Sequence, residues 1–309
     1  MLGSVLKRLV QGLLVTFCVV FISFVILRSI PGDPAKVMAP NATPEQQQAI
    51  RDGMGLSEPV LTQFRMYVGK MLGGDLGESY FKSDSVLNIL GQSIPLSAIL
   101  VVFSLLVSVV LSLILGTIAG THSGTLLDRL ISSIAVLFQS MPNYWVSTML
   151  VILFGVRAGI FPTMGYSGAM SCVLPVVALV LPLTAVLTKV IRSSLIESYS
   201  QEFVRAAYAR GVSRVGAYFR YALRNSLIPV CISIGSQLGF LIGSIVVVEY
   251  VFNFPGLGYT ALNAILRRDY NLVQAIIILF SVFFVVVNII IDLGTTRLDP
   301  RLRKAEGEI

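Results

Sequence analysis

The stretch Gln201–Arg214 reads QEFVRAAYARGVSR, a compact basic segment set between two long apolar runs. Its pattern predicts a short helix. Glu202 stands in the first turn, where a negative charge suits the positive end of the helix dipole. Phe203, Ala206, Ala207 and Arg210 fall at i, i+3, i+4 and i+7 on one face, and Gly211 follows where a left-handed residue commonly closes a helix. Two alanines beside Phe203 would let a partner approach the backbone closely. Spacing alone leaves two readings open: a docking helix, or a surface helix that Gly211 merely stops.

The flanking sequence defines the setting. Of 309 residues, 55% are hydrophobic and 13% charged, and the mean hydropathy is +0.83. That is more apolar surface than one soluble core can bury, so the chain is expected to be an integral membrane protein. Six runs are long enough to cross a hydrocarbon core as helices: 9–29, 96–119, 130–155, 172–188, 227–248 and 272–293. Lys7 and Arg8 precede the first, but Leu9 to Leu27 is too long for a signal h-region and no small-x-small cleavage site follows. It reads as a retained span. Pro142, Pro175, Pro182 and Pro229 fall in or at the start of later runs, and such breaks are tolerated where neighbouring helices or a wet cavity satisfy the freed carbonyls.

Orientation follows from Lys and Arg. The N-terminus (1–8), the connection carrying Arg129, the segment 189–226 and the tail 294–309 are basic and are expected on the cytoplasmic side. The segment 189–226 holds Lys189, Arg192, Arg205, Arg210, Arg214, Arg220 and Arg224; the tail holds Arg297, Arg301, Arg303 and Lys304. Connection 30–95 carries five basic residues against seven acidic ones and is expected outside, as is the shorter loop 249–271. The net charge of +7 is then a consequence of topology and calls for no nucleic acid.

The outer segment predicts two short helices. Thr43-Pro44-Glu45 opens one that Asp52-Gly53 closes. Ser57-Glu58-Pro59 opens a second, with Val60, Phe64, Tyr67, Val68 and Met71 at helical spacing before Gly73-Gly74.

Several chemistries are opposed. Every span centre lacks charge, whereas a proton- or sodium-driven carrier usually keeps an ionisable group there, at about 2.5–3.5 kcal/mol on the insertion scale. Arg28, Arg157, Glu249 and Asp292 lie near span ends. The sole histidine, His122, follows the second span and reads as interfacial. Cys18, Cys172 and Cys231 have no metal or disulfide spacing and read as small buried hydrophobes. No Ser/His/Asp set, HExxH helix or carboxylate pair can be assembled, so no catalytic residue is assigned. GxxxxGK[ST] is also missing, so any ATP must be hydrolysed on another chain.

A translocation path would need polar groups inside the spans. Ser233, Ser236, Gln237 and Phe240 recur at helical spacing on the fifth run, with Gly235, Gly239 and Gly243 on a neighbouring face. Gln139, Pro142 and Asn143 interrupt the third. The polar members of these sets either face a cavity or hydrogen-bond between helices.

Arg205-Ala206-Ala207, three further residues and Gly211 resemble the EAA loop of bacterial ABC importer membrane subunits, which inserts into a cleft of the ATPase. That signature ordinarily opens with Glu; Arg205 and the downstream Leu227-Ile228-Pro229 are similar to the variant of the peptide and nickel permeases. Segments along nearly the whole chain resemble the same branch: Ile30-Pro31-Gly32-Asp33-Pro34, Gly55-Leu56 with Pro59, Gly74-Asp75-Leu76-Gly77, and Phe161-Pro162-Thr163-Met164-Gly165. The run Val248 to Gly258, Arg268-Asp269-Tyr270 and Leu298-Asp299-Pro300-Arg301 complete the set.

The resemblance implies an all-α, six-span type I importer fold with a helical external segment and a cytoplasmic coupling helix in the inner membrane, both termini cytoplasmic. It implies a homologous sister permease, two ATPase subunits holding ATP and Mg, and an external substrate-binding protein, with no cofactor or metal in this chain. Glu202, Phe203, Arg205, Ala206, Ala207, Arg210, Gly211, Val212 and Ser213 would meet the ATPase. The implied cargo is a small peptide, with chelated nickel or glutathione as alternatives. A stand-alone carrier or channel is the competing class, and an intramembrane enzyme a further one.

Overall fold

The computed structural model describes residues 2–29, 35–36, 39, 41–53 and 55–298. The motif Ile30 to Pro34, and the tail from Asp299 with Arg301, Arg303 and Lys304, lie outside the described residues. Among the described residues, five helices are long and apolar enough to cross a membrane, or six spans when one bent pair is counted. The chain divides into two compact units.

The first unit comprises residues 1–97 and 255–286. Helix α1 (Leu2–Ser29) is followed by α2 (Pro44–Gly53) and α3 (Val60–Leu72). Thr43 begins α2 as expected: its Oγ1 accepts from Gln46 N at 3.3 Å while Gln46 Oε1 accepts from Thr43 N at 2.9 Å, a reciprocal capping box. On α3, Phe64 is buried against Phe24 of α1, with ring centroids 5.1 Å apart and the rings edge to face. A two-stranded antiparallel ladder, β1 (Glu78–Ser79) with β2 (Asp84–Ser85), was not anticipated.

Helix α4 (Val86–Thr121) starts ten residues ahead of the expected run, and at ~1.5 Å per residue its length exceeds a hydrocarbon core of about 30 Å. The early start has a packing cause. Val86, Ile89 and Leu90 are buried in one cluster with Leu257, Ala261, Tyr270 and Ile276. Those partners lie on α11 (Leu257–Leu266) and α12 (Tyr270–Leu298); the former turns part of the expected 249–271 loop into a helix. Ser97 Oγ accepts from Leu257 N at 2.7 Å and so satisfies a free amide at the start of α11.

The second unit comprises residues 98–254 and 287–309. Here α4 packs on α7 (Val173–Ser200) through small residues. A Cβ on Gly116 would lie 2.7 Å from Ile191 Cβ, and one on Gly120 3.1 Å from Leu195 Cβ. Ser108 Oγ donates to Val180 O at 3.4 Å. Backbones approach closely where side chains are absent, which is how helices associate in lipid.

The third apolar run is not one straight helix. It forms α5 (Leu126–Ser140) and α6 (Asn143–Leu150), continued by a π-helical turn to Arg157, and the two parts meet at 99°. Met141 is extended at ψ 130°, as a residue before proline prefers, and Pro142 then restarts the chain in a new direction. Asp128, buried in the first turn of α5, takes a bidentate contact from Arg192 of α7: Nε to Oδ1 at 2.5 Å and Nη2 to Oδ2 at 2.8 Å. Gly124 N and Ser132 Oγ also donate to this carboxylate. The fifth apolar run lies within α10 (Leu223–Val251). Cys18 is exposed on α1, not buried as read from sequence, because it lies on the helix's uncovered side; Cys172 and Cys231 are half-buried.

Candidate functional site: the short helix between α7 and α10

Helix α7 runs to Ser200, twelve residues past the apolar run, so that the first twelve residues of the expected 189–226 loop are helical. Gln201 is extended at ψ 147° and ends it. Helix α8 (Glu202–Ala209) follows, with Glu202 in its first turn. After Ser213, α9 (Arg214–Ala217) and a π-helical turn lead into α10. Hydroxyls tie the ends of this segment together: Ser198 Oγ lies 3.2 Å from Ser226 Oγ and accepts from Asn225 Nδ2 at 3.3 Å. Tyr218 OH reaches Thr117 Oγ1 of α4 at 2.7 Å. The segments that flank the short helix are therefore tied to one another and to α4.

Val204 and Ala207 are fully buried, one helical turn apart, while Phe203, Ala206 and Tyr208 are exposed. This divides the face read from sequence. Ala207 does not share the outer surface with Phe203, Ala206 and Arg210; it turns inward and packs on the chain itself. The apolar Val204, left out of the sequence reading, sets that rotation, because burying it draws the residue at i+3 under the helix.

Gly211 has φ +81°, the left-handed conformation expected of it. Its N donates to Tyr208 O at 2.9 Å and Val212 N donates to Ala207 O at 3.1 Å, the paired bonds of a Schellman closure. A Cβ at Gly211 would meet nothing within 4 Å, so glycine is needed there for backbone angle, not space. Arg205, Arg210 and Ser213 are exposed and Val212 is half-buried. Ser213 Oγ accepts from Gly216 N at 3.2 Å, which starts α9.

The candidate path residues separate into two groups. Asn143 Nδ2 donates to Ser244 Oγ of α10 at 2.7 Å, which brings the start of α6 to α10. Gln139 instead accepts from Lys189 Nζ of α7 at 3.0 Å, and Pro142 is exposed at the bend. On α10, Ser236 and Phe240 are exposed and Ser233 and Gln237 half-buried; Ser236 Oγ donates to Ser233 O at 2.9 Å. Gly235 lies against Ile291, 2.8 Å from where its Cβ would stand, whereas Gly243 faces open space. Among the described residues no group of three His, Cys, Asp or Glu side chains is placed to hold a metal ion.

Multiple apolar spans, one broken at a proline, with a short helix in the connection between two of them, describe a multi-pass membrane protein. Residues 1–101 match the N-terminal region, and residues 112–304 the main region, of the binding-protein-dependent transport system inner membrane component. The chain belongs to this family, and it is a permease subunit of an ABC importer. It is 33% identical over 308 residues to the "Probable peptide ABC transporter permease protein y4tP" of Sinorhizobium fredii, covering 97% of this chain and 98% of the relative. It is also 33% identical to the "Glutathione transport system permease protein GsiC" of Escherichia coli K12, covering 98% and 99%. Among solved structures, the MetNI methionine ABC transporter in an inward-facing conformation shares the fold at a TM-score of 0.59 and 15% identity, over 69% of this chain and 97% of that one. An amino acid ABC transporter gives a TM-score of 0.55, also at 15% identity, over 68% and 94%.

Proposed function

We propose that this chain forms half of a translocation path for small peptides and that α8 couples the path to a separate ATPase. The observation that carries the reading is the division of α8 into a buried Val204–Ala207 side and an exposed face that carries Phe203, Ala206 and Arg210. A helix seated in a cleft can use the small Ala206 to approach closely and the neighbouring Phe203 ring to fill, which is the pairing this exposed face offers. The exposed Arg205 and Arg210 frame that surface and favour an acidic cleft rim.

ATP and Mg then belong to two ATPase subunits, and a second homologous permease and an extracytoplasmic binding protein complete the importer. The basic segments favour a cytoplasmic location for both termini and α8, with α2, α3 and the hairpin outside. An impermeant maleimide should label a cysteine at Ser83 in intact cells and spare one at Ser213; the reverse pattern would invert the topology. The peptide cargo is favoured by the name of the Sinorhizobium relative, and glutathione, itself a small peptide, by that of the Escherichia coli relative. Chelated nickel is the remaining alternative. Copurification of an ATPase in mild detergent, and its loss when Ala206 is enlarged, tests the assignment; a subunit that transports alone would overturn it.

A further inference from the structure

The first unit contains a cavity of about 450 Å³, within the range of small-ligand sites and lined by several charged side chains, that the importer reading leaves unused. Arg28, at the end of α1, forms part of its wall. The guanidinium carbon lies 3.3 Å from the centroid of the fully buried Phe24 ring, so the face of the cation is covered. Its Nε donates to Gln63 Oε1 at 2.6 Å. Gln63 is fixed in turn, since its Nε2 donates to the carbonyls of Glu58 at 2.7 Å and Leu56 at 3.3 Å. Orientation in the plane and about it is thus set by two residues.

That arrangement spends one of five guanidinium N–H groups. Among the described residues, neither Nη nitrogen has a hydrogen bond and no carboxylate forms an ion pair with Arg28. A flat pair of donors with its third side already satisfied matches the two oxygens of a carboxylate. Tyr67, on the same wall, has a buried hydroxyl without a partner, and burial pushes its phenol up so that it remains a donor. The opposite charge is also present: Asp52, Asp75 and Glu78 line the cavity, against Lys70 as the other cation. Asp75 is engaged by Gly77 N at 2.8 Å and Asp52 by Ser57 Oγ at 2.7 Å, and each keeps a second oxygen.

We propose that this cavity binds a small zwitterion, its carboxylate held by Arg28 with Tyr67 as a further donor, and its ammonium group facing Asp75 and Glu78. Such a ligand satisfies the unpaired guanidinium edge and the orphaned phenol together, and leaves the acidic rim a cation. Binding requires only this geometry; that the ligand is cargo on its way inward rests on the importer reading.

The test is equilibrium binding of radiolabelled Ala-Ala to the assembled transporter in lipid nanodiscs, without binding protein or ATP. Saturable binding is expected, and Ala-Ala amide, which lacks the carboxylate, should compete about tenfold or more less well than Ala-Ala. N-acetyl-Ala-Ala, which lacks the ammonium, should also be weaker. Arg28→Gln should lower affinity by about tenfold or more, Arg28→Lys nearly as much because an ammonium offers no flat donor pair, and Tyr67→Phe by about threefold. Where an Arg28 variant fails to assemble, the acid-against-amide comparison on the wild type and the Tyr67→Phe affinity decide. No saturable binding, equal competition by acid and amide, displacement by inorganic phosphate as strong as by Ala-Ala, or wild-type affinity in an assembled Arg28→Gln complex would each overturn the proposal. Retained Ala-Ala binding in a subunit that never copurifies with an ATPase would sink the coupling role proposed for α8 and leave the site standing.

Discussion

Helices α7 and α10 look alike as sequence: 28 and 29 residues, each apolar, each with an internal proline and several hydroxyls. Their surroundings differ. The most apolar window of α7 is 61% buried within the chain and that of α10 only 33%, so one helix is scaffold and the other keeps a face for something else. The uncovered face of α10 carries Ile232, Ser236, Phe240 and Gly243. A lipid-facing stripe has no use for serine and glycine, so that face is better suited to another protein or to water. Hydropathy registers both helices as spans and is blind to this distinction.

The largest expected effect comes from breaking what holds α7. Asp128→Ala would leave Arg192 without its bidentate partner, and removing one member of a buried pair commonly costs about 3–5 kcal/mol. Arg192 is 31% exposed, which lets water answer part of the charge and sets the expectation near the lower end, about 3 kcal/mol. Melting of the purified complex in detergent should fall clearly, and Asp128→Leu with Arg192→Met should recover much of the loss. Gly116→Val, which drives a side chain into Ile191 and the Thr188 carbonyl, should cost about 1–3 kcal/mol in the same assay. Wild-type melting in both would mean that α7 is not the scaffold.

A smaller effect separates the two sides of α8. Ala207→Arg forces a long side chain into a closed intrachain contact and should lower melting by about 1–3 kcal/mol. Ala206→Arg, on the exposed side, should change stability by no more than about 0.5 kcal/mol yet abolish ATPase stimulation by the loaded binding protein. Gly211→Ala falls between them, at about 1 kcal/mol for an L-residue held at φ +81°. Equal behaviour of the Ala206 and Ala207 variants would erase the inside-outside division.

Much of this architecture was legible in local pattern. The start of α2 at Thr43, the end of α3 at Gly73 and the left-handed Gly211 all depend on residues within one turn of the signal. What escaped depends on distance. Asp128 and Arg192 are 64 residues apart, and nothing near either announces the other. The rotation of α8 is decided by a surface for Val204 that other helices supply. Pro142 marked a break in the third run, but proline sets only its own torsion and the exclusion before it, so the 99° turn is a property of packing. The early start of α4 likewise needs α11 and α12 to bury Val86 and Ile89.

The smallest effect on stability should accompany a large one on transport. Ser236 is exposed on α10, and among the described residues its hydroxyl donates to the Ser233 carbonyl one turn back, a contact within the helix itself. Ser236→Trp should therefore leave melting within about 0.5 kcal/mol of wild type. If that face lines the path, an indole placed between Phe240 and Ile232 would obstruct it, and uptake of labelled peptide should fall to background while ATPase copurification persists. If the face instead meets the sister permease, the same substitution should separate the two permeases on size exclusion, because an overpacked helix contact yields before it blocks a cavity. Full uptake with an intact permease pair would exclude both roles and return the exposed stripe to lipid, where Ser236 and Gly243 would have no packing reason to sit one above the other on α10.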